Sequence, residues 1–506
     1  MKKNRSIGIV LSYVNTFLNM VCGLFLSAFL LKCLGDTEYG VYQAISSFAN
    51  YLVLLEFGTG TVMVRNISVC RSENKSPLEV EKNISTIWTI TNILSGIILL
   101  FSVVFYFSLD TVYAQSFSAE QLVIGKKIFV FIVMYLVLSF YFQTLSSIAL
   151  AFEHYTFKST TAIFRTVTRT ILLVVIIGGF VKQSIVIAMV DAFLTFFMTV
   201  YSYFYCKKNF SIRINFANFD KAIFNASLPL CFAIFLQTIV NQTNSSVAKF
   251  IISIKLTPEL VSLYSVGLFI YSVFSSLTTI PISMYAPQIV KEVVANKRGK
   301  ELTDSLVRPS RLIVIIGGTV FFGFIAAGKQ FISIVYGEKY LTAWLIAILI
   351  MLPMFLNMSN GVIVNVLDAM NKRIFRSLIL MVTTLLNILL TLYLTAKYSV
   401  IGAAASTCIS TLLGQITFMN IYYEKVIGIK VLYMYGKTFK GILVYQILGA
   451  AAGFALGRVI DNNYISFMLC GIVYVAIAFG GLVLFGKDET EKAQIKRIIS
   501  KVRRVK

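Results

Sequence analysis

Apolar runs long enough to cross a bilayer recur along nearly the whole of this 506-residue chain. Fourteen lie near 7–31, 41–64, 84–108, 128–150, 166–181, 184–205, 222–250, 260–286, 312–327, 341–367, 377–396, 400–423, 441–457 and 465–485. A helix needs about 20 apolar residues to span a hydrocarbon core, so fourteen spans would occupy about 280 positions. Of all residues, 58% are apolar and 13% charged, whereas soluble domains have about 45–50% and about 25%. Almost every apolar side chain is therefore used in a span, and little is left for a soluble core. The pattern excludes a soluble enzyme, a disordered chain and a secreted disulfide scaffold. It predicts an all-α polytopic membrane protein of about fourteen transmembrane helices.

The net charge of +23 would suggest nucleic acid in a soluble chain. Here the basic residues read as topology determinants, and no nucleic-acid partner is expected. With the N-terminus inside and the spans alternating, the 45 Lys and Arg fall 35 inside and 10 outside. One span more or fewer would invert the later loops and erase the asymmetry. Both termini are then cytoplasmic, with the basic segment 487–506 on the inner side. Met1–Arg5 resembles a signal-peptide n-region, but the following run is too long and lacks a small-residue cleavage site, so it reads as an uncleaved first span. The longest inside loop is 287–311 and the longest outside loop lies near 110–127, which leaves no room for a soluble catalytic domain.

A gapless shift of 222 residues places Leu34 on Leu256, Val41 on Leu263 and Tyr42 on Tyr264. It also places Asn15 on Gln237, Asn19 on Asn241, Gly23 on Ser245 and Ser27 on Lys249. Both first spans of this repeat run from inside to outside, so the repeat is parallel. Ser12, Asn15, Asn19, Gly23 and Ser27 step by three or four and share one helix face; Gln237, Asn241, Asn244/Ser245, Ala248 and Lys249 do the same in span seven. A polar face in hydrocarbon meets water, a ligand or another helix. Two readings follow: facing walls of a hydrophilic cavity, or interhelical hydrogen bonds at about 0.6 kcal/mol each.

Glu56 sits within span two beside Gly58 and Gly60, which can let the helix bend. It is a candidate for a coupling cation or proton, or half of an intramembrane ion pair. It cannot pair with Arg65 along a regular helix. Asp191 in span six is a weaker coupling candidate and could instead pair locally near Lys182. The fifth and sixth runs, separated by Lys182-Gln183-Ser184, read as a tight helical hairpin or as one bent helix. Arg65, Arg165, Arg169 and Lys249 flank or enter spans. Arg offers bidentate donors to a phosphate and Lys a point charge; the alternative is interfacial snorkelling. Pro229, Pro281, Pro287 and Pro353 could kink their helices. Gly323–Lys329 matches the first part of a phosphate loop, but Gln330 replaces the required Ser/Thr and no strand precedes it, so nucleotide binding is rejected. The seven cysteines and single His154 form no metal-ligand spacing. No catalytic constellation, metal or cofactor is expected.

Leu34-Gly35-Asp36-Thr37-Glu38-Tyr39-Gly40-Val41-Tyr42, running on to Leu54-Leu55-Glu56-Phe57-Gly58-Thr59-Gly60, resembles the start of bacterial polysaccharide exporters. These are the O-antigen and teichoic-acid flippase branch of the multidrug/oligosaccharidyl-lipid/polysaccharide exporter superfamily. Asn241-Gln242-Thr243-Asn244, Tyr336-Gly337-Glu338-Lys339-Tyr340 and Gly402-Ala403-Ala404-Ala405-Ser406-Thr407 fit in the same order. Many relatives have Asp at the position of Glu56 and an acid at that of Asn244.

The resemblance implies two six-helix lobes in parallel repeat around a central cavity, plus two C-terminal helices. The boundaries would be 1–220, 221–437 and 438–506. It implies movement of an undecaprenyl-diphosphate-linked oligosaccharide to the outer leaflet of the bacterial plasma membrane by alternating access. Sugar hydroxyls would contact Asn15, Asn19, Gln237, Asn241 and Asn244. The diphosphate would seek Arg65 or Lys249, and Glu56 or Asp191 would couple a cation. Expected partners are the lipid-linked oligosaccharide, membrane lipids, and a polysaccharide polymerase with chain-length machinery. A drug–cation antiporter of the same fold would want an apolar, acid-containing cavity. A membrane glycosyl polymerase or ligase would want a large outside loop, which is missing.

Overall fold

The first long helix must turn where the apolar sequence is interrupted, and a glycine permits it. In the computed structural model, which describes residues 2–210, 218–370 and 372–485, α1 (Lys2–Ala49) is bent at Gly35, whose φ of 81° is open to glycine. α1 therefore contains span one and the first half of span two. A short 3₁₀ turn (Leu52–Glu56) follows, and α2 (Thr59–Ser72) resumes the direction. Phe57 (φ 50°) and Gly58 (φ 64°) break span two between them, where the flanking glycine suggested a bend. Phe57 stacks on Phe235 with ring centroids 4.2 Å apart, and a Cβ on Gly58 would strike the Ile234 side chain. Gly60 has a different role: it is helical, and its missing Cβ admits Gln143 and Ser147.

The next helices are α3 (Pro77–Val112), α4 (Ala119–Ala151), α5 (Tyr155–Gly179), α6 (Ile185–Phe210) and α7 (Lys221–Lys255). Capping side chains set the starts of α3, α4 and α7. Ser118 and Gln121 form a reciprocal capping box on α4, and Asp220 accepts from the Ala222 and Ile223 N–H groups of α7. The fifth and sixth runs are two helices joined at 180–184, not one bent helix. α5 also begins eleven residues before the apolar run suggested. Lys158, Arg165 and Arg169 depress the average hydropathy of that stretch without interrupting the helix.

The remaining helices are α8 (Pro258–Val294), α9 (Gly299–Val335), α10 (Thr342–Asn357), α11 (Gly361–Ala369), α12 (Arg373–Thr411), α13 (Met419–Tyr422), α14 (Val431–Phe439), α15 (Leu443–Leu456) and α16 (Asn463–Phe485). Leu412–Phe418 and Tyr423–Ile427 are π-helical. The expected inside loop 287–311 is mostly helix, because α8 and α9 continue past their apolar windows and leave only 295–298 between them. α12 folds back at Tyr398 and Ser399, where Gly402 lies against the Leu394 carbonyl.

Among the described residues the secondary structure is helical with no strand. This is the all-α polytopic architecture anticipated. Ten helices are long and apolar enough to cross a membrane, or eleven with α14 and α15, bent by 53°, taken as one. The fourteen apolar runs are not all separate helices: Leu11–Ala49 and Phe375–Ile427 each join two runs across a kink. The segment 487–506 lies outside the described residues.

The chain divides into two compact units, Met1–Ser265 and Val266–Lys506. In the first, α1 packs along α5, α4 along α6, and α2 and α3 against α4. Its core includes Val62, Met63, Ile67, Ile84, Ile87, Leu145 and Ile148. The turns related by the 222-residue shift touch each other: the Thr37 hydroxyl donates to Glu259 Oε1 at 2.5 Å, and a Cβ on Gly40 would strike the Pro258 carbonyl. In the second unit, α9 packs against α14, α15 and α16, and α10 against α12. Buried Arg311 donates to the Lys437 and Lys440 carbonyls at 3.0 and 2.9 Å, capping the end of α14.

Candidate functional site

The polar face of span one meets α5. Ser12 and Ser159 hydroxyls are 2.9 Å apart, and the Thr166 hydroxyl donates to Asn19 Oδ1 at 2.9 Å. Half of this face is thus an interhelical seam. Asn19 is nevertheless exposed and lines a cavity of about 320 Å³ with Cys22, Thr166 and Thr170. Asn15 is half-buried, and its Oδ1 has no hydrogen-bond partner among the described residues. The side chains of Gln237, Asn241 and Asn244 lie outside the described residues, so the facing stripe of span seven is not placed.

Glu56 ends the 3₁₀ turn, half-buried beside the Phe57–Gly58 break. Among the described residues its carboxylate forms no ion pair, with Arg65 or with any other base. Arg65 stands exposed on α2, also without a carboxylate partner there. Lys249 is half-buried on α7, and its ammonium donates to the Gln43 amide oxygen at 2.5 Å. An amide satisfies one N–H of that ammonium without neutralising its charge.

Asp191 does not pair with Lys182. Its carboxylate is gripped by Arg169, Nε to Oδ1 at 2.5 Å and Nη2 to Oδ2 at 2.9 Å. This is the two-bond fork that Arg makes with a carboxylate. A charge at mid-bilayer costs about 2.5–3.5 kcal/mol on insertion scales, and the fork offsets that cost for both residues. Arg169 lies ten residues from the C-terminal end of α5 and Arg165 ten residues from its N-terminal end, each about 15 Å into the helix at 1.5 Å per residue. Both arginines are therefore deep in the span, not at its inner flank.

The pair borders a second cavity, this one polar, of about 300 Å³, lined by Tyr42, Ser46, Asn50, Tyr135, Arg165 and Asp191 among others. Tyr42, Ser46, Asn50 and Tyr135 carried no assignment in the sequence. Tyr42, Ser46 and Asn50 continue a three-to-four spacing just past the Gly40 contact, which is the signal that could have found them. The second unit holds an amide network that was also missed. Asn357 donates to Gln415 at 3.0 Å, Asn360 to Asn357 at 3.1 Å and to Asn420 at 2.8 Å, and Asn420 to the Tyr435 hydroxyl at 3.2 Å.

A family model described as polysaccharide biosynthesis protein matches residues 29–345. The chain belongs to that family. The matched segment contains Glu56, Arg65, Arg165, Asp191 and Lys249, and begins after Asn15 and Asn19. Among solved structures, this family member is similar to the lipid II flippase MurJ in an inward closed conformation. That match has a TM-score of 0.66 and 18% identity, and covers 92% of this chain and 98% of that one. It is also similar to an inward-facing multidrug resistance MATE transporter of the MOP superfamily, with a TM-score of 0.59, 11% identity and coverage of 81% and 95%. A third match is a MOP superfamily transporter from Pyrococcus furiosus, with a TM-score of 0.52, 11% identity and coverage of 83% and 96%. At these identities the likeness is one of fold. No curated protein matches the sequence.

Proposed function

We propose that the chain is a flippase that carries undecaprenyl-diphosphate-linked oligosaccharide units across the bacterial plasma membrane by alternating access. The observation that carries this reading is a half-buried cation, Lys249, held by an amide and, among the described residues, by no carboxylate, in a membrane chain of the polysaccharide biosynthesis family. An uncompensated cation inside an apolar bundle suits an anionic cargo. A fold shared with a structure named as a lipid II flippase supports the same direction. In this reading Lys249 and Arg65 contact the diphosphate, and Asn15, Asn19, Gln237, Asn241 and Asn244 contact sugar hydroxyls. The two repeats, 1–220 and 221–437, act as the moving lobes, followed by 438–506. The excess of basic residues on one side places both termini in the cytoplasm, and a polymerase with its chain-length machinery would receive the exported units.

Glu56, without an ion-pair partner among the described residues and at a helix break, is the coupling acid of the proposal. Asp191 would join it only by releasing Arg169. Replacing Glu56 by Gln should abolish dependence of transport on a cation gradient; unchanged, gradient-dependent transport by that variant removes the role. The flippase reading is tested in a deletion strain. Single lipid-linked units should accumulate on the inner leaflet and be exported again when the chain is restored. The shared fold with a multidrug transporter supports a drug–cation antiporter as the second reading. Drug resistance on overexpression, with no accumulation of lipid-linked units on deletion, would establish it.

A further inference from the structure

Helix α5 carries two arginines one turn apart, and their surroundings differ. Arg169 is neutralised by the Asp191 carboxylate. Arg165 lies over the Tyr135 ring, 5.3 Å from its centroid. Among the described residues it has neither a carboxylate nor a hydrogen-bond acceptor. Arg169 serves as an internal control: on the same helix, one turn away, the fold supplies a carboxylate where the charge is structural. A cation–π contact with Tyr135 is no hydrogen bond to an oxygen acceptor, and it leaves the guanidinium N–H groups available to one.

Arg165 also borders the two cavities described above. Tyr42, Ser46 and Asn50 stand in one, and Asn19, Thr166 and Thr170 in the other. With Arg169 and Asp191 cancelling, Arg165 is left, among the described residues, as a charge without a carboxylate beside hydroxyls and amides, in the middle of α5. A planar fork of donors with no protein acceptor is complementary to phosphoryl oxygens.

We infer that Arg165 forms a phosphate-binding site inside the first unit, which takes the diphosphate of the lipid-linked cargo while the neighbouring hydroxyls and amides hold the attached sugar. This rests on the flippase reading for its ligand and adds to Arg65 and Lys249 a residue that neither role included. The same phosphate chemistry could come from an anionic phospholipid headgroup, and the experiment separates the two sources.

The full chain is placed in phosphatidylcholine nanodiscs and titrated with undecaprenyl diphosphate. Wild type should bind, R165M should lose at least tenfold in affinity, and R165K, with a point charge in place of the fork, should lose less. Thermal unfolding of R165M should be no lower than that of wild type, because a binding arginine is not needed by the fold. Unchanged affinity in R165M, or a marked fall in its melting temperature, overturns the assignment. Phosphatidylglycerol added as competitor should displace undecaprenyl diphosphate poorly; equal displacement keeps the phosphate site and rejects the cargo as its source. Export in the deletion strain keeps the two readings apart. Wild-type export matched by R165M sinks this site and leaves the flippase standing. Absence of wild-type export, with Arg165-dependent binding intact, does the reverse.

Discussion

Replacing Asp191 by Asn removes one charge and almost no volume, so its effect reports the ion pair alone. Asp191 is 13% exposed and Arg169 31%. Deleting one partner of a buried pair typically costs about 3–5 kcal/mol, because the other charge is left uncompensated. Arg169 is close to a third exposed and borders the cavities, so water screens it in part, and about 2–4 kcal/mol is the expected loss. The double variant R169L/D191L removes both charges and should recover most of that loss, since apolar replacement of a buried pair is often neutral or better. Unfolding in detergent can be followed by labelling of the thiol of Cys206, which is 2% exposed, with a fluorescent maleimide. D191N should unfold at clearly lower denaturant than wild type, with the double variant between them or above. A D191N curve superimposed on that of wild type, or a double variant weaker than D191N, would refute the claim that each charge is tolerated in the span only because of the other.

Two further substitutions probe the helix ends. Gly58→Ala places a Cβ at φ 64° and against Ile234; left-handed strain and overpacking together should destabilise by about 2–4 kcal/mol, read by the same labelling assay. Arg311→Met deprives the Lys437 and Lys440 carbonyls of their donor. A loss of about 1.5–3 kcal/mol is expected, with faster proteolysis near residue 440, and unchanged proteolysis would count against the cap.

Membrane residence, helical class, the bend near Gly58 and the polar face of span one were legible in the sequence. Each depends on local composition or on helical spacing, and a chain of this hydropathy has no other way to satisfy its backbone in lipid. The contact of Thr37 with Glu259, 222 residues on, is a tertiary pairing that the gapless shift did not itself predict. The start of α5 was not. A hydropathy window averages around the helix, so the stretch holding Lys158 and Arg165 fell outside the apolar run, although such charges can be met by other helices without ending the span.

The choice of partners belonged to the tertiary structure. Arg169 and Asp191 lie either side of the turn at 180–184, on antiparallel helices, about 15 Å and about 9 Å from it at 1.5 Å per residue. The sequence places them about one helical turn apart in depth, but only the rotation of α5 against α6 and the reach of the Arg169 side chain bring the charges together. That rotation also leaves Arg165, one turn away, facing Tyr135 instead of an acid. Hydrophobicity is a sum along the chain and can be read from it; which charge is neutralised and which stays available depends on the azimuth of packed helices, which no linear pattern records.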